Sequence, residues 1–180
     1  MKKKLKTTDT TIDELLIPKE RVGVLIGKKG EVKRKIEREC GVKLEIDSEE
    51  GEVMIERPSE GSQALDGLKG LDIIRAIARG FAPAKAFKLL KPNICIDIID
   101  LTDYVSKKSM RRVKSRLIGA HGKSRSYTSR LTKTEIVIYG KTVSLIGELE
   151  NVEIAKRGLM KLVKGSSHSS VFTFLERNRL

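Results

Sequence analysis

A short glycine motif that returns with its surroundings constrains the fold of these 180 residues more than any other feature. Ile26-Gly27-Lys28-Lys29-Gly30 recurs as Ile118-Gly119-Ala120-His121-Gly122, 92 positions later. A lone Gly-x-x-Gly carries little weight, because two glycines often fall at that spacing by chance. Here Leu25-Ile26 precedes the first pair and Leu117-Ile118 the second. A Lys/Arg-rich helical stretch follows each, then two β-type runs and a long helical pattern ending in glycine. Self-similarity of that length marks one supersecondary unit used twice. The spacing therefore predicts two domains, each large enough to bury a core without staples.

Hydrophobic periodicity fills in the unit. Ile12, Leu15, Leu16 and Ile17, closed by Pro18, predict a first strand. Val22, Leu25 and Ile26 give a helix over Lys19 to Ile26, and Val32, Ile36 and Cys40 a second over Glu31 to Cys40, with Gly41 as its stop. Val42, Leu44 and Ile46 alternate with charged residues as a strand over Val42 to Asp47, and Val53-Met54-Ile55 pairs back. After a break at Pro58 to Ser62, a long helix presents Leu65, Leu68, Leu71, Ile74, Ile77 and Ala78 as its apolar face and ends at Gly80. Ala84 to Leu90 reads as a short further helix. The second copy runs as a strand (Asn93 to Asp100), helices over Lys107 to Ile118 and Lys123 to Thr132, strands over Glu135 to Tyr139 and Thr142 to Ile146, and a helix from about Asn151 to Lys164. Expected boundaries are a basic flexible arm at 1–10, a first domain at 11–90 with an extended C-terminal helix, a second at 91–166, and a tail at 167–180. Phe172, Phe174 and Leu175 in that tail need a core or a partner to cover them.

The order strand–helix–GxxG–helix–strand–strand–helix is that of the KH fold. The fold class expected is α+β: two tandem type I KH domains (βααββα each). Their packing together is expected from the short connection near Lys91-Pro92 and the apolar run Phe81 to Leu90. A GxxG loop between helices has a physical purpose. Without Cβ atoms the main chain bends sharply and a sugar-phosphate backbone approaches closely, and the following helix turns its N–H groups and positive dipole end toward phosphate. KH modules clamp about four nucleotides this way. They need little aromatic stacking, which suits a chain with no Trp and 4% aromatics.

A net charge of +13 points to a polyanionic partner, nucleic acid ahead of a membrane surface. From Lys107 through Lys133 there are ten basic residues and no acid, whereas the seven from Lys28 through Lys43 are diluted by Glu31, Glu37 and Glu39. The second loop is thus the primary RNA candidate: Ile118, Gly119, Ala120, His121, Gly122 and Lys123, with Ser124, Arg125 and Arg130 on the helix beyond. Arg112 and Arg116 precede it, and Ile136 supplies an apolar floor. The secondary candidate is Ile26, Gly27, Lys28, Lys29 and Gly30 with Lys33. Glu31 puts a carboxylate where a phosphate would sit, or serves as a helix N-terminal charge partner.

Other signals carry no chemistry. Gly122-Lys123-Ser124 mimics the end of a phosphate-binding loop, but position 117 is Leu117 where glycine is required. His121 lacks a catalytic companion. Asp97, Asp100 and Asp103 would suit Mg²⁺ in a nuclease, yet a solvated strand edge explains them more simply. Cys40 and Cys95 sit in apolar patterns without a CxxC neighbour and read as thiols of a reducing cytoplasm. No catalytic residue, metal or cofactor is expected. No apolar run spans a bilayer, and the basic start has no apolar stretch behind it, so it does not read as a signal peptide.

Arg79-Gly80-Phe81, Ala86-Phe87-Lys88-Leu89-Leu90, Arg116-Leu117-Ile118-Gly119 with Gly122-Lys123, and Val171-Phe172-x-Phe174-Leu175-Glu176 resemble the partner-of-Nob-one family. These are dimethylase-interacting KH proteins of small-subunit ribosome biogenesis. Krr-type assembly factors share the region around Gly80-Phe81. The resemblance implies a non-enzymatic assembly factor that binds single-stranded rRNA near the 3′ end of the small-subunit rRNA and supports maturation of that end; a cytoplasmic monomer is expected. Pre-ribosomal proteins including a Nob-type endonuclease, and a translation initiation factor, are the implied protein partners. The first loop keeps GKKG where eukaryotic relatives look degenerate, and the absence of their long N-terminal extension suggests an archaeal form. The rival readings are a protein-interaction adaptor with vestigial loops and a Mg-dependent RNA-processing enzyme.

Overall fold

A computed structural model describes residues 10–58 and 62–178, without the side chains of 62–64. The basic arm expected at 1–10 lies outside the described residues as far as residue 9, and Thr10 already belongs to a strand. The chain divides into two units. The first holds residues up to Ala78 and Ala82–Leu90, the second Arg79–Phe81 and Lys91–Leu180.

In the first unit, β1 (Thr10–Leu16) leads to α1 (Lys19–Ile26), the glycine loop, α2 (Glu31–Cys40), β2 (Lys43–Ile46), β3 (Glu52–Pro58) and α3 (Ser62–Ala78). The sheet order is β1-β3-β2, antiparallel throughout, with Leu15 opposite Val53 and Leu44 opposite Ile55. Leu44, Val53 and Ile55 turn to the helical side and are buried with Val22, Leu25, Ile36 and Cys40. Asp47 ends β2: its carboxylate accepts from the Glu49 and Glu50 amides at 2.8 and 3.1 Å, forming the turn to β3. These bonds hold its carboxyl below the usual range.

The apolar face of α3 is the expected one at Leu71, Ile74, Ile77 and Ala78 but not in the first half of the helix. Leu65 and Leu68 are 67% and 43% exposed, while Leu71, Ile73, Ile74, Ala76, Ile77 and Ala78 are buried. Glycines explain the offset. At Gly67 and Gly70 the helix runs so close to its neighbours that an added Cβ would stand 3.0 Å from Arg57 and Cys40 respectively. The small residues, not the leucines, face inward there. After α3, α4 (Pro83–Ala86) and a 3-10 turn (Phe87–Leu90) bury Ala86 and Leu89 beside α3.

The second unit repeats the order: β4 (Ile94–Asp100), α5 (Lys107–Ile118), the loop, α6 (Lys123–Leu131), β5 (Glu135–Tyr139), β6 (Thr142–Glu148) and α7 (Leu149–Val163). Its sheet order, β4-β6-β5, is the same antiparallel arrangement. Leu117, Val143, Leu145, Val152, Ala155, Leu159 and Leu162 are the centre of its core. Residues 167–180, read as a tail, contain instead a helix, α8 (His168–Asn178), whose Val171 and Leu175 are fully buried. Its Ser-rich start masks the period in the sequence, but residues four apart lie on one helical face. Phe172 and Phe174 pack at the edge of the same core.

Candidate nucleic-acid interface

The two glycine loops adopt one backbone conformation. Gly27 and Gly119 have φ/ψ of 74/176° and 73/171°, and Gly30 and Gly122 have 77/15° and 75/10°. Between them Lys29 and His121, neither a glycine, are held at φ 52° and 51°. Left-handed geometry at a side-chain-bearing residue is uncommon and costs energy, so its recurrence in both loops is a property of the motif. The first glycine of each pair is required twice over. Its φ/ψ belongs to a region open essentially to glycine alone. A Cβ there would also stand 2.5 Å from Val32 Cγ2 in the first loop and 2.6 Å from Ser124 Cβ in the second. In each copy the closing glycine hands the chain straight to a helix, so the loop faces that helix's N-terminal amides.

Chemistry, not geometry, separates the copies. Lys28 and Lys29 are exposed, but four of the basic side chains near them are engaged. Lys33 pairs with Glu37 at 3.9 Å, Arg38 with Glu39 at 2.9 Å and Lys43 with Glu45 at 3.0 Å. Lys35 lies over the Phe87 ring at 4.3 Å. Glu31 occupies the first turn of α2. In the second copy none of the ten Lys/Arg residues from 107 to 133 pairs with a carboxylate among the described residues. Lys123 stands where Glu31 does, and α6 has no acid in its first turn.

Of the residues picked out by sequence, Ala120, His121, Lys123, Arg125, Arg130 and Arg112 are exposed, and Ile118, Gly119, Gly122, Ile26, Gly27, Gly30 and Lys33 half-buried. Three sit otherwise than expected. Ile136 is buried at 6% exposure in the core cluster, because the inward register of β5 begins at it; it belongs to the core. Arg116 donates to the Ser166 carbonyl at 2.6 Å, so its guanidinium ties α5 to the turn before α8. Ser124 is buried, with its hydroxyl unpartnered. Two of the three aspartates have structural partners: Asp97 accepts from Lys156 Nζ at 2.8 Å, which raises the lysine's pKa, and Asp100 accepts from the Thr102 amide and hydroxyl. The Thr102 bonds hold the Asp100 carboxyl below its ordinary range.

Sequence reasoning missed a cleft of about 910 Å³ between α6 and α8, contiguous with the second loop through Gly119 and Ala120. Tyr127 and Phe172 wall it, with ring centroids 4.7 Å apart and planes at 68°. The i, i+3, i+7 spacing of Lys123, Ser126 and Arg130 was the available signal on α6, but the opposite wall depended on recognising α8.

Two antiparallel three-stranded sheets, each backed by helices and each carrying a GxxG loop between its first two, define a protein with two type I KH domains. Residues 95–180 match the family described as eukaryotic type KH-domain (KH-domain type I), and residues 12–63 the KH domain family. The chain belongs to the partner-of-Nob-one (PNO1/Dim2) family of KH proteins, as its similarities establish. It is 49% identical over 172 residues to a KH domain-containing protein of Methanocaldococcus jannaschii, covering 95% of this chain and 75% of that protein. It is similar to the structure of an a/eIF2alpha–aDim2p–rRNA complex from Pyrococcus horikoshii, with TM-score 0.88, 41% identity and 96% of each chain covered. It is 28% identical over 138 residues to the pre-rRNA-processing protein PNO1 of Chaetomium thermophilum, covering 74% of this chain and 52% of that protein. The chain therefore spans about half the length of that eukaryotic relative. No helix among the described residues is long and apolar enough to cross a membrane.

Proposed function

We propose that this chain is an RNA-binding ribosome assembly factor that clamps single-stranded rRNA near the 3′ end of the small-subunit rRNA, chiefly through the Gly119–Gly122 loop of its second KH domain. The observation that carries the reading is the contrast between two loops of one conformation. With geometry matched, the loop followed by Lys123, whose neighbouring cations have no carboxylate partner among the described residues, is the better phosphate site than the loop followed by Glu31. Phosphate contacts dominate nucleic-acid affinity, so the second domain carries most of the binding. The solved complex of the Pyrococcus relative, whose components are a translation factor subunit and rRNA, supports the RNA class and a translation initiation factor as a protein partner. The pre-rRNA-processing relative supports a part in 3′-end maturation beside a Nob-type endonuclease. A non-enzymatic role fits: of the three aspartates that would have suited Mg²⁺, Asp97 is paired with Lys156 and Asp100 is bonded to Thr102.

For the first domain an adaptor role has an observation of its own. Leu16 lies opposite Glu52, Glu14 opposite Met54 and Ile12 opposite Glu56, which places all six on one sheet face. Ile12, Leu16 and Met54 are 64%, 75% and 44% exposed there. An apolar strip framed by carboxylates suits a protein partner and repels RNA. The test of the main reading is fluorescence anisotropy with a single-stranded oligonucleotide of the small-subunit rRNA 3′ end and a scrambled one of the same length, over a salt series. Tighter binding of the rRNA sequence at every salt is expected. Equal affinities, or no binding at low salt, would overturn it.

A further inference from the structure

The cleft between α6 and α8 has the character of a binding site of its own. It holds about 910 Å³, within the range of sites that enclose a small organic group. Its walls are two aromatic rings at a steep angle, Tyr127 and Phe172, with the Arg130 guanidinium 5.1 Å from the Tyr127 centroid. Ser124 lines it at 4% exposure, and its hydroxyl is a buried polar atom without a partner. Such an atom loses its hydrogen bonds to water and gains none from the protein, so a bound group that supplies one is favoured. His168 lines the cleft, with Nε2 donating to the Arg116 carbonyl at 2.8 Å. The one acidic side chain in the lining, Glu176, accepts from the Tyr127 hydroxyl at 2.5 Å, against the cations Lys123 and Arg130.

We propose that this cleft takes one unstacked nucleobase, with its ribose, from the RNA strand whose phosphates lie on the Gly119–Gly122 loop. The inference rests on the RNA reading of that loop. Continuity supports the assignment: Gly119 and Ala120 form both the loop and the cleft's rim, so a nucleotide whose phosphate meets the loop has its base within reach of the rings. The two rings are in edge-to-face contact and leave no slot between them, so the base lies against the side of the pair that faces the cleft, next to a cationic rim and an unmet hydroxyl; stacking on one ring accepts any base and a single polar group adds preference. KH grooves elsewhere bind with little stacking, so this would extend the four-nucleotide clamp with an aromatic subsite supplied by α8.

The experiment uses the full chain and a single-stranded oligonucleotide of the small-subunit rRNA 3′ end, with an abasic ribose placed at each position in turn. Thr173→Trp, at an exposed α8 position lining the cleft, fills it, and Phe172→Leu removes one ring while keeping bulk. In the unaltered protein one abasic position should weaken binding about tenfold. Both variants should bind the intact strand about tenfold more weakly and be indifferent to that abasic site. If no abasic position changes its cost between the unaltered protein and either variant, the cleft holds no base and the proposal fails, while the loop reading stands. A parallel Ala120→Asp/His121→Asp variant separates the two claims. Should it bind every strand as the unaltered protein does, the loop reading fails and this inference with it.

Discussion

Gly119 and Gly140 both carry positive φ, yet only one of them is irreplaceable. Gly119, at φ 73° and ψ 171°, would place a Cβ 2.6 Å from Ser124 Cβ and 2.7 Å from the Ser124 amide nitrogen. Gly140, at φ 54°, has nothing within 4 Å of that position. Gly119→Ala should therefore cost about 3 kcal/mol, from a backbone region closed to alanine plus overpacking. Gly140→Ala should cost about 1 kcal/mol, the ordinary penalty of the left-handed region. Chemical denaturation followed by circular dichroism compares them; equal losses would mean that the loop relaxes without strain. Cys40 gives a second test. Burial, with smaller contributions from Asp66 and Glu39, pushes its thiol from an ordinary 9.0 up to about 11. In a Cys95→Ser background, Cys40 should resist a thiol reagent at pH 8 until denaturant is added. Because the unfolded thiol releases its proton near 9 and the folded one near 11, this group's contribution to stability is whole below pH 9 and is lost as pH rises toward 11. At this scale the sequence showed the glycines and the cations plainly. It misplaced Ile136, because a β-branched residue on a short strand looks alike on either face until the register is known.

At the scale of elements the order strand–helix–helix–strand–strand–helix was legible twice over, since apolar periods survive in every strand and helix of both sheets. Two features were not. Leu65 and Leu68 promised the buried face of α3, but Gly67 and Gly70 brought the backbone of another face into contact. The helix α8 hid behind serines whose intrinsic preference is weak; tertiary burial of Val171 and Leu175 overrides it. The packing that holds α8 is specific enough to test. A Cβ on Gly158 of α7 would stand 2.7 Å from Leu175 Cδ2. Gly158→Ala should destabilise by about 1–3 kcal/mol through overpacking, despite alanine's better helix propensity. Leu175→Ala should cost about 2–5 kcal/mol through the cavity it leaves. Together they should cost less than their sum by about 1 kcal/mol or more, because the new methyl occupies part of that cavity. Strict additivity in a denaturant double-mutant cycle would show that α7 and α8 do not pack this way.

For the whole molecule the account turns on unequal division of labour between two copies of one unit. A formal net charge of +13 draws the chain to polyanions, but its placement decides where they bind. Carboxylates pair with cations beside the first loop, whereas no Lys/Arg from 107 to 133 forms an ion pair among the described residues and the Glu176 carboxylate near the second loop is bonded to Tyr127. The most direct measurement is a salt-dependent titration of single-stranded rRNA with two double variants, Ala120→Asp/His121→Asp and Lys28→Asp/Lys29→Asp, with circular dichroism to show that both fold. Counting charges alone, the first-loop change is the more drastic, since it removes two lysines as well as adding two carboxylates. The account predicts the reverse. The second-loop variant should lose about two orders of magnitude in affinity, a few kcal/mol of like-charge clash and broken phosphate hydrogen bonds. Its salt slope should fall by roughly 0.7 for each phosphate of the single strand that the protein no longer neutralises. The first-loop variant should lose markedly less. A first-loop variant that loses more affinity than the second-loop variant would contradict the assignment of the Gly119–Gly122 loop as the primary RNA site.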